Sequence, residues 1–365
     1  MTNQVKEFPL SAEVELIKEL SLAFGPSGYE KPVADLIESK IKDICDGYTR
    51  DTMGNLIAVL HCGDGSERKR VMLSAHMDEV GVMVTAIEKD GLLRFDTVGG
   101  INVSVLEGRA MTLGDERGTF PALVASKAIH HVDRADRDKA KEITKLYIDI
   151  GATSKEDAEE LVSVGSVGTF SSPFYLFGEN GEFMKGKALD DRVGCAVLIQ
   201  TLKELYADRP SLDLDLYFCF TVREEIGLSG AKTAANKIRP DLAVVLESTA
   251  VADLPDVDVS RRVADLGGGG AISLADRATL YNREFISFAL NVGKKNSIPV
   301  QTKRYVSGGN DAGSIHKSGS GVKVLALSLP TRYLHSPACV AKVSDATAVR
   351  DLLVAMLRDG ELQGI

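Results

Sequence analysis

The sequence predicts an α/β fold in which a large mixed-sheet domain is interrupted by a small all-β, barrel-like domain. Helix-like and strand-like patterns alternate over the first 79 residues and again after about residue 180. Between them, short alternating apolar segments are separated by glycine-containing turns, as in a small barrel or sandwich. We therefore predict a large domain from residues 1–79 and 180–365, and an inserted domain over residues 80–179.

The first elements are two helices followed by two strands. Ser11 is a suitable N-cap for a helix whose apolar residues share one face over residues 14–20. The same helical spacing of apolar residues recurs over residues 33–41. Continuous apolar runs at residues 55–60 and 71–75 then indicate two buried strands.

The segment assigned to the inserted domain consists of short strands and turns. Residues 82–87 alternate as a half-buried strand would, and Asp90-Gly91 and Gly99-Gly100 supply turn signals after such segments. Within this domain, residues 133–145 carry many charges of both signs. This stretch is predicted to be a solvated loop or an exposed helix.

After residue 180 the α/β pattern returns with one long helix and three strands. Residues 192–205 have helical apolar spacing, and Asp190 or Asp191 stands at the N-cap position. The strand-like runs that follow cover residues 212–222, 242–246 and 322–329. A polar segment follows each of these strands, and in open α/β sheets sites form at the carboxyl ends of strands.

Composition excludes several classes of function. The chain has 365 residues, 44% hydrophobic and 26% charged, and a formal charge of -9, which argues against nucleic-acid binding and anionic membranes. Residues 1–20 lack the apolar core of a signal peptide, and the longest apolar stretch, near residues 216–222, is too short to span a bilayer. The five cysteines are scattered and odd in number, which suggests reduced core residues. We expect a cytoplasmic protein.

Acidic or histidine-containing segments follow apolar runs at five places in the chain. They cover residues 75–78, 189–191, 223–225, 246–248 and 334–336, and their chemically active side chains are His76, Asp78, Asp190, Asp191, Glu224, Glu225, Glu247 and His335. Burying these groups costs several kcal/mol each unless a cation or another partner compensates them. Imidazole nitrogen and carboxylate oxygen suit first-row divalent metals, so the set predicts two metal ions.

The pattern allows a division of roles. Asp190 at the rigid start of a helix is the natural bridge between two ions, and Asp78 is placed to orient the His76 ring. Neighbouring side chains in an extended segment point apart, so either Glu224 or Glu225 could bind metal while the other acts as a general base. This arrangement suits hydrolysis assisted by two metal ions, without a covalent nucleophile.

Each segment also has a structural interpretation. A His-x-Asp segment is often a surface or capping arrangement, a Glu-Glu pair after a strand is commonly a solvated turn, and Asp190-Asp191 could be a plain N-cap. The pair His130-His131 is a further, weaker candidate for a site contact. The joint occurrence of the five segments at predicted strand ends favours a functional site over these separate interpretations.

At these residues the sequence resembles the M42 family of metallo-aminopeptidases, the glutamyl and tetrahedral aminopeptidase group. The resemblance covers almost the whole chain and rests on an ordered series of motifs: Gly25-Pro-Ser-Gly28-Tyr-Glu30, Asp51-Thr-Met-Gly54-Asn55-Leu56, Ala75-His76-Met77-Asp78-Glu79-Val80-Gly81, Leu146-Tyr-Ile-Asp149-Ile-Gly151-Ala152, Ala188-Leu-Asp190-Asp-Arg192, Glu224-Glu225-Ile-Gly227, Gly308-Gly-Asn-Asp311-Ala312 and Pro330-Thr-Arg-Tyr-Leu-His335-Ser336.

The resemblance implies a role for each matching residue. His76, Asp190 and Glu247 would hold one divalent ion and Asp190, Glu225 and His335 the other, with zinc or cobalt expected and manganese as a further option. Glu224 matches the general base, and Asp78 the residue behind the first histidine. Peptides are the implied substrates. The β domain is implied to take part in assembly, with a dimer-based homo-oligomer or a tetrahedral dodecamer as the outcome.

The chain departs from the family pattern at two positions. Glu247 stands where many members carry aspartate, and Asn310 replaces a threonine in Gly308-Gly309-Asn310-Asp311. The longer side chain at position 247 leaves a related two-metal carboxypeptidase or deacylase as an alternative. A noncatalytic metal-binding assembly protein is the alternative from another class, although a scaffold has no need of Glu224.

Overall fold

The structure is a computed structural model that describes residues 8–134, 139 and 141–365. Part of the charged stretch at residues 133–145, and part of the N-terminal segment assessed for a signal peptide, lie outside the described residues. The described chain forms a large mixed sheet flanked by helices and, apart from it, a closed antiparallel barrel. The predicted α/β architecture with a small all-β unit is confirmed.

The large domain contains the helices and the strands of the mixed sheet. Its helices are α1 (Ala12–Leu22), α2 (Lys31–Ile41), α4 (Leu189–Ala207), α5 (Ser229–Ile238), α6 (Arg283–Lys295), α7 (Ala312–Ile315) and α8 (Val343–Arg358). Its strands are β1 (Gly47–Arg50), β2 (Leu56–Cys62), β3 (Lys69–His76), β10 (Tyr175–Phe177), β11 (Phe183–Gly186), β12 (Leu214–Thr221), β13 (Leu242–Ala250), β14 (Gly270–Ile272), β15 (Val300–Thr302), β16 (Lys323–Arg332) and β17 (Cys339–Lys342).

Four parallel strands form the centre of this sheet in the order β12, β3, β13 and β16. Strand β13 is buried at every residue from Leu242 to Thr249. A strand buried on both faces reads as a continuous apolar run, which explains why the sequence shows no alternation there. Helix α4 packs against β3 and β13. The parallel arrangement brings the carboxyl ends of these strands to one edge of the sheet.

The first helix begins as its sequence predicts, but two boundaries further along differ. The Ser11 side chain accepts a hydrogen bond from the Val14 amide at the start of α1. Strand β13 continues past residue 246 to Ala250, so Glu247 lies inside the strand instead of after it. Asp190 and Asp191 have non-helical φ and ψ angles at the start of α4, and Asp191 Oδ1 accepts from Gly194 N at 3.1 Å. Asp191 is therefore the residue that caps the regular helix.

In the sequence, the barrel lies between β3 and β10, two strands of the large sheet. Its strands are β4 (Gly81–Ile87), β5 (Leu93–Val98), β6 (Ala110–Asp115), β7 (Gly118–Ser126), β8 (Leu146–Asp149) and β9 (Val167–Phe170), with helix α3 (Lys155–Leu161) beside them. They close in the order β4-β5-β8-β7-β6-β9 around a separate apolar core. The proposed inserted domain, residues 80–179, contains this barrel and also β10, which pairs with β11 in the large sheet.

A buried ionic cluster lies where the chain passes from the large sheet into the barrel. Glu79 Oε1 accepts from Lys187 Nζ at 2.6 Å and from Arg192 at 3.4 Å, and Glu79 Oε2 accepts from Thr169 Oγ1 of β9 at 2.6 Å. Arg192 is fully buried and also donates to the carbonyl oxygens of Leu20, Ala23, Gly25 and Met77. The cluster thus joins α1, α4, the Glu79 segment and the barrel.

Within the described residues, the helices are too short or too polar to cross a membrane. Four of the cysteines, at positions 62, 195, 219 and 339, are buried, and Cys45 is partly buried. None of these described cysteines is in a disulfide. Packing in the core is the role that the sequence predicts for them.

Candidate active site

The site lies at the carboxyl edge of the central parallel strands. His76 is the last residue of β3, and Glu247 lies near the end of the neighbouring β13. Glu224 and Glu225 follow β12, and His335 follows β16. The register of β3 and β13 pairs Ser74 with Val245, so His76 and Glu247 lie two residues further along adjacent strands. Parallel pairing is therefore what brings residues from distant parts of the sequence together.

The first group of possible metal ligands is buried and consists of His76, Asp190 and Glu247. His76 Nε2 lies 3.4 Å from Asp190 Oδ1 and 3.4 Å from Glu247 Oε1. The other ring nitrogen, Nδ1, lies 3.0 Å from the Asp78 carbonyl oxygen. A carbonyl oxygen only accepts hydrogen bonds, so Nδ1 carries a proton, and Nε2 is the nitrogen that could bind a cation in place of its own proton.

The second group shares Asp190 with the first and adds Glu225 and His335. His335 Nε2 lies 3.4 Å from Asp190 Oδ2 and 3.2 Å from Glu225 Oε1. Each oxygen of Asp190 therefore faces a different imidazole. A carboxylate in this position could offer one oxygen to each of two cations.

Glu224 lies beside both groups. It forms a third candidate group with His76 and Glu225, in which the ligand atoms lie within 4.8 Å of one another. Glu225 also belongs to the group around His335, whereas Glu224 does not. The geometry thus separates the two adjacent glutamates, because Glu225 has a ligand atom within 4.8 Å of both imidazoles and Glu224 belongs only to the group with His76.

The donor set fits divalent cations. Among the described residues, Asp190 Oδ1, Glu225 Oε1 and Glu247 Oε2 are buried and have no hydrogen-bond donor near them other than the imidazoles that face Asp190 Oδ1 and Glu225 Oε1. Buried carboxylate oxygens without donors are costly unless a cation compensates them. Nitrogen and oxygen ligands of this kind suit zinc, cobalt and manganese alike.

The pKa shifts reflect the crowding of these charges. Burial raises the pKa values of Glu224 and Glu247, and neighbouring carboxylates raise them further. Burial opposes protonation of His335, but hydrogen bonding to Asp190 and Glu225 outweighs it and raises the pKa of His335 to about 11. For His76, burial is likewise outweighed by the charge of Glu247 and by hydrogen bonding to Asp190 and Asp78, so its pKa is raised. Without cations, protons on the imidazoles balance the acidic charge.

Asp78 positions the Glu224 segment. Asp78 Oδ1 accepts from Glu224 N at 3.0 Å, and Oδ2 accepts from Glu225 N at 3.2 Å and from Ser27 Oγ at 2.5 Å. Burial opposes ionisation of Asp78, but hydrogen bonding to His76 and to these donors outweighs it and lowers its pKa. Asp78 therefore fixes the positions of His76 and of the Glu224 and Glu225 backbone relative to one another.

Comparison with known proteins supports, over nearly the whole chain, the family resemblance seen in the sequence motifs. The sequence profile for M42 glutamyl aminopeptidase matches residues 54–352. The chain is 32% identical over 350 residues to the lysyl aminopeptidase of Pyrococcus furiosus, which covers 94% of this chain and 96% of that protein. The chain belongs to the M42 family. This M42 enzyme is accordingly an aminopeptidase that depends on metal for the hydrolysis of N-terminal residues from peptides.

Solved structures agree with this assignment. The TET aminopeptidase from the marine sediment archaeon Thaumarchaeota archaeon SCGC AB-539-E09 superposes with a TM-score of 0.91 at 34% identity, over 96% of this chain and 97% of that one. The TET1 peptidase of Pyrococcus horikoshii superposes with a TM-score of 0.83 at 34% identity, over 95% of this chain and 99% of that one. The latter can assemble into a tetrahedron or a large octahedral shell.

The local conformation of the M42 site differs from the sequence prediction at Glu224 and Glu225. The segment is not extended: Gly227 N and Leu228 N donate to the Glu224 carbonyl, which makes a turn. Arg223 before it has a φ of 57°, in the left-handed region. The turn therefore directs both glutamates toward one cluster. In an extended strand, two neighbouring side chains would have pointed to opposite faces.

Two residues of this M42 enzyme that the sequence does not identify also contact the candidate site. Ser27 donates to Asp78, and the Gly100 carbonyl lies 2.7 Å from His335 Nδ1. Ser27 belongs to the Gly25-Pro-Ser-Gly28 motif, which is the signal that could have identified it. The contact of Gly100 joins residues 235 positions apart and leaves no local pattern. His130 and His131 are exposed and do not belong to the metal-ligand groups found among the described residues.

Proposed function

We propose that this aminopeptidase acts with two divalent ions that share Asp190. The observation that carries this proposal is the placement of Asp190, whose Oδ1 faces His76 and whose Oδ2 faces His335, each at 3.4 Å. His76 and Glu247 would complete one ion site, and Glu225 and His335 the other. Bound divalent ions would lower the pKa of a water molecule and polarise the scissile carbonyl.

Glu224 is proposed to accept the proton of the attacking water and pass it to the leaving amine. Its raised pKa, caused by burial and by neighbouring carboxylates, suits a general base that works near neutral pH. The backbone amide of Glu224 is held by Asp78 at 3.0 Å. Asp78 is therefore proposed as a positioning residue that keeps the base in place and orients His76.

The acidic character of the site supports recognition of a free N-terminus. Glu224, Glu225 and Glu247 all belong to candidate ligand groups that include His76. An ammonium group forms its strongest hydrogen bonds with ionised carboxylates. The substrate's α-amine is therefore proposed to bind these groups, which would limit cleavage to the first residue of a peptide.

We also propose the identity of the metal, the oligomeric state and the location of the protein. Zinc or cobalt is proposed as the metal, with manganese also compatible with nitrogen and oxygen ligands. The chain is proposed to form a homo-oligomer built from dimers, with a tetrahedral dodecamer as the larger form. The tetrahedron of the TET1 peptidase of Pyrococcus horikoshii and the dodecamer of PhTET1-12s support the larger form. A cytoplasmic location is also proposed, and it is supported by the five described cysteines, which are all free thiols.

A pair of blocked peptides tests the direction of cleavage. We expect hydrolysis of a peptide with a free amine and an amidated carboxyl terminus, and no hydrolysis of the same sequence with an acetylated amine and a free carboxyl terminus. Cleavage of only the acetylated peptide would indicate a carboxypeptidase or deacylase. Cleavage of neither by the metal-loaded protein would favour the noncatalytic assembly protein. Full activity after exhaustive chelation would contradict the metal mechanism.

A further inference from the structure

The two histidines of the site are oriented by different domains. His76 Nδ1 lies 3.0 Å from the carbonyl oxygen of Asp78, two residues further along the same chain segment. His335 Nδ1 lies 2.7 Å from the carbonyl oxygen of Gly100, which follows barrel strand β5. In both cases a carbonyl acceptor places the proton on Nδ1 and leaves Nε2 free to bind a cation. Only the His335 ring receives its acceptor from the barrel.

The turn at Gly99-Gly100 packs against two ligands of the same group. A Cβ added at Gly99 would lie 3.3 Å from Glu225 Cβ and 2.9 Å from Val80 Cγ1. A Cβ added at Gly100 would lie 3.4 Å from His335 Nδ1. The turn is therefore in direct contact with Glu225 and His335.

His335 itself has few local constraints. Its φ of 58° lies in the left-handed region, as does that of Tyr333, which is an uncommon conformation for residues with a Cβ. Its side chain is 32% exposed, compared with 2% for His76. A ring that is partly exposed and carried on a strained loop depends on external contacts for its orientation.

The barrel is fixed to the large domain close to this turn. Glu79 bonds Lys187 of the large domain through one oxygen and Thr169 of barrel strand β9 through the other, each at 2.6 Å. Both contacts are buried. Val80, which follows Glu79, lies beside Gly99, since a Cβ added at Gly99 would be 2.9 Å from Val80 Cγ1, and the anchor is therefore next to the turn. The position of the Gly100 carbonyl is therefore tied to the docking of the barrel.

We propose that the Gly99-Gly100 turn of the barrel is a positioning element for one metal half-site, the one formed by Glu225 and His335 with the shared Asp190. The half-site with His76 and Glu247 is oriented within the large domain and does not need the turn. This inference rests on the proposed two-metal function. It follows that displacement of the turn lowers the affinity of the half-site with Glu225 and His335 and leaves the affinity of the other half-site unchanged.

The experiment compares Gly99→Ala with Gly151→Ala in the full chain. Gly99 has a φ of 83° and Gly151 a φ of 78°, so both substitutions introduce similar backbone strain within the barrel domain. A Cβ at Gly151 has no atom within 4 Å, whereas at Gly99 it meets Val80 and Glu225. Cobalt is titrated into the chelated proteins, and bound cobalt is measured by absorbance and by metal analysis after desalting.

We expect two ions per chain in the wild type and in Gly151→Ala. In Gly99→Ala we expect one ion with unchanged affinity and a second ion bound about 10- to 100-fold more weakly, the usual effect of losing a partner behind a metal ligand. Unchanged binding of both ions, or equal weakening of both, would overturn the inference. Fewer than two ions in the wild type would instead remove the proposed two-metal function on which it rests.

A second variant covers the case in which Gly99→Ala does not fold. Gly100→Ala adds a Cβ next to His335 without requiring a positive φ, because the φ of Gly100 lies outside the left-handed region. We expect it to weaken the same second ion, by less than Gly99→Ala. An unaltered cobalt titration in a folded Gly100→Ala protein would count against the turn as a positioning element.

Discussion

At the scale of single residues, the site is defined by carboxylates whose neighbours differ. Asp190 faces two imidazoles and has a pKa lowered by hydrogen bonding to them in spite of burial, whereas burial raises the pKa of Glu224. One carboxylate is thus kept ionised, as a ligand must be, and the other is tuned to exchange a proton. Asp78 links the two by holding His76 and the amide of Glu224.

The substitution Glu224→Gln tests the proposed base. It removes the proton acceptor and keeps the shape of the side chain, so we expect kcat to fall by about 10²- to 10⁴-fold while both ions remain bound. Hydrolysis of an aminoacyl chromogenic substrate and metal analysis of the same sample provide the measurement. Glu225→Gln is the matched control, since it should lose metal as well as activity. Unchanged turnover in Glu224→Gln would remove this residue from its role.

The substitution Asp78→Asn tests the positioning residue. An asparagine amide cannot accept hydrogen bonds at both ends from Glu224 N, Glu225 N and Ser27. We expect metal affinity to fall by about 10- to 100-fold, measured by competition with a chromophoric chelator. Ser27→Ala removes a single donor to the same carboxylate and should have a smaller effect. An Asp78→Asn protein with wild-type affinity and turnover would show that the positions of His76 and of the Glu224 and Glu225 backbone do not depend on this charge.

At the scale of secondary-structure elements, the polar side chains are brought together by parallel pairing. Strands β12, β3, β13 and β16 end at one edge, and each delivers its ligand at or just beyond that edge, apart from Glu247 inside β13. Helix α4 supplies Asp190 from its non-helical first residues and Arg192 from its first turn. The same short segment therefore contributes to the site and to the buried cluster that anchors the barrel.

That anchor makes a stability prediction. Glu79→Gln leaves the buried charges of Lys187 and Arg192 without an anionic partner, so we expect the free energy of unfolding to fall by about 3 kcal/mol. Glu88→Gln is the control, because Glu88 pairs with Arg94 while 42% exposed and should cost less than about 1 kcal/mol. Urea unfolding of both variants at one protein concentration measures the difference. Similar losses for the two would contradict a structural role for the buried cluster.

At the scale of the whole molecule, folding concentrates acidic groups that only cations or protons can balance. In the metal-free protein His335 has a pKa raised to about 11 by Asp190 and Glu225 against the opposing effect of burial. A raised histidine pKa stabilises the fold fully below the unfolded value of about 6.5, and that stabilisation is lost as pH rises toward about 11. The raised pKa values of the buried glutamates Glu225 and Glu247 act in the same direction.

Metal removal should therefore destabilise the protein more at higher pH. Cations replace the protons on the ligands, so the difference in Tm between zinc-loaded and chelated protein should grow from about pH 6.5 to about pH 8.5. Thermal unfolding at both pH values, with the oligomeric state checked by light scattering, measures this difference. In His335→Gln, the difference in Tm between zinc-loaded and chelated protein should increase less between these two pH values. A difference that shrinks with pH would contradict the balance of charges described above.

The sequence predicts much of this molecule for identifiable reasons. Ser11, the helical spacing that follows it and the continuous apolar runs of β3 and β13 act over a few neighbouring residues, so their patterns are visible locally. The end of β13 is less visible because Glu247, Ser248 and Thr249 are polar but buried. The turn at Glu224 is set by hydrogen bonds to its own carbonyl and by the backbone of Arg223, which the residue types do not reveal.

The sequence alone determined the fold class and the five polar segments, and the family motifs in it determined which residues to propose for each role. These properties depend on local periodicity, capping and residue chemistry, all of which a linear pattern records. Only the tertiary structure decided that the two oxygens of Asp190 face different histidines, and that the barrel supplies the Gly100 carbonyl to His335. Such contacts depend on the register of distant strands and on the docking of two domains. The physical reason is that a hydrogen bond forms between groups that are close in space. Every residue has a backbone carbonyl, so residue types do not show which carbonyl will accept the bond.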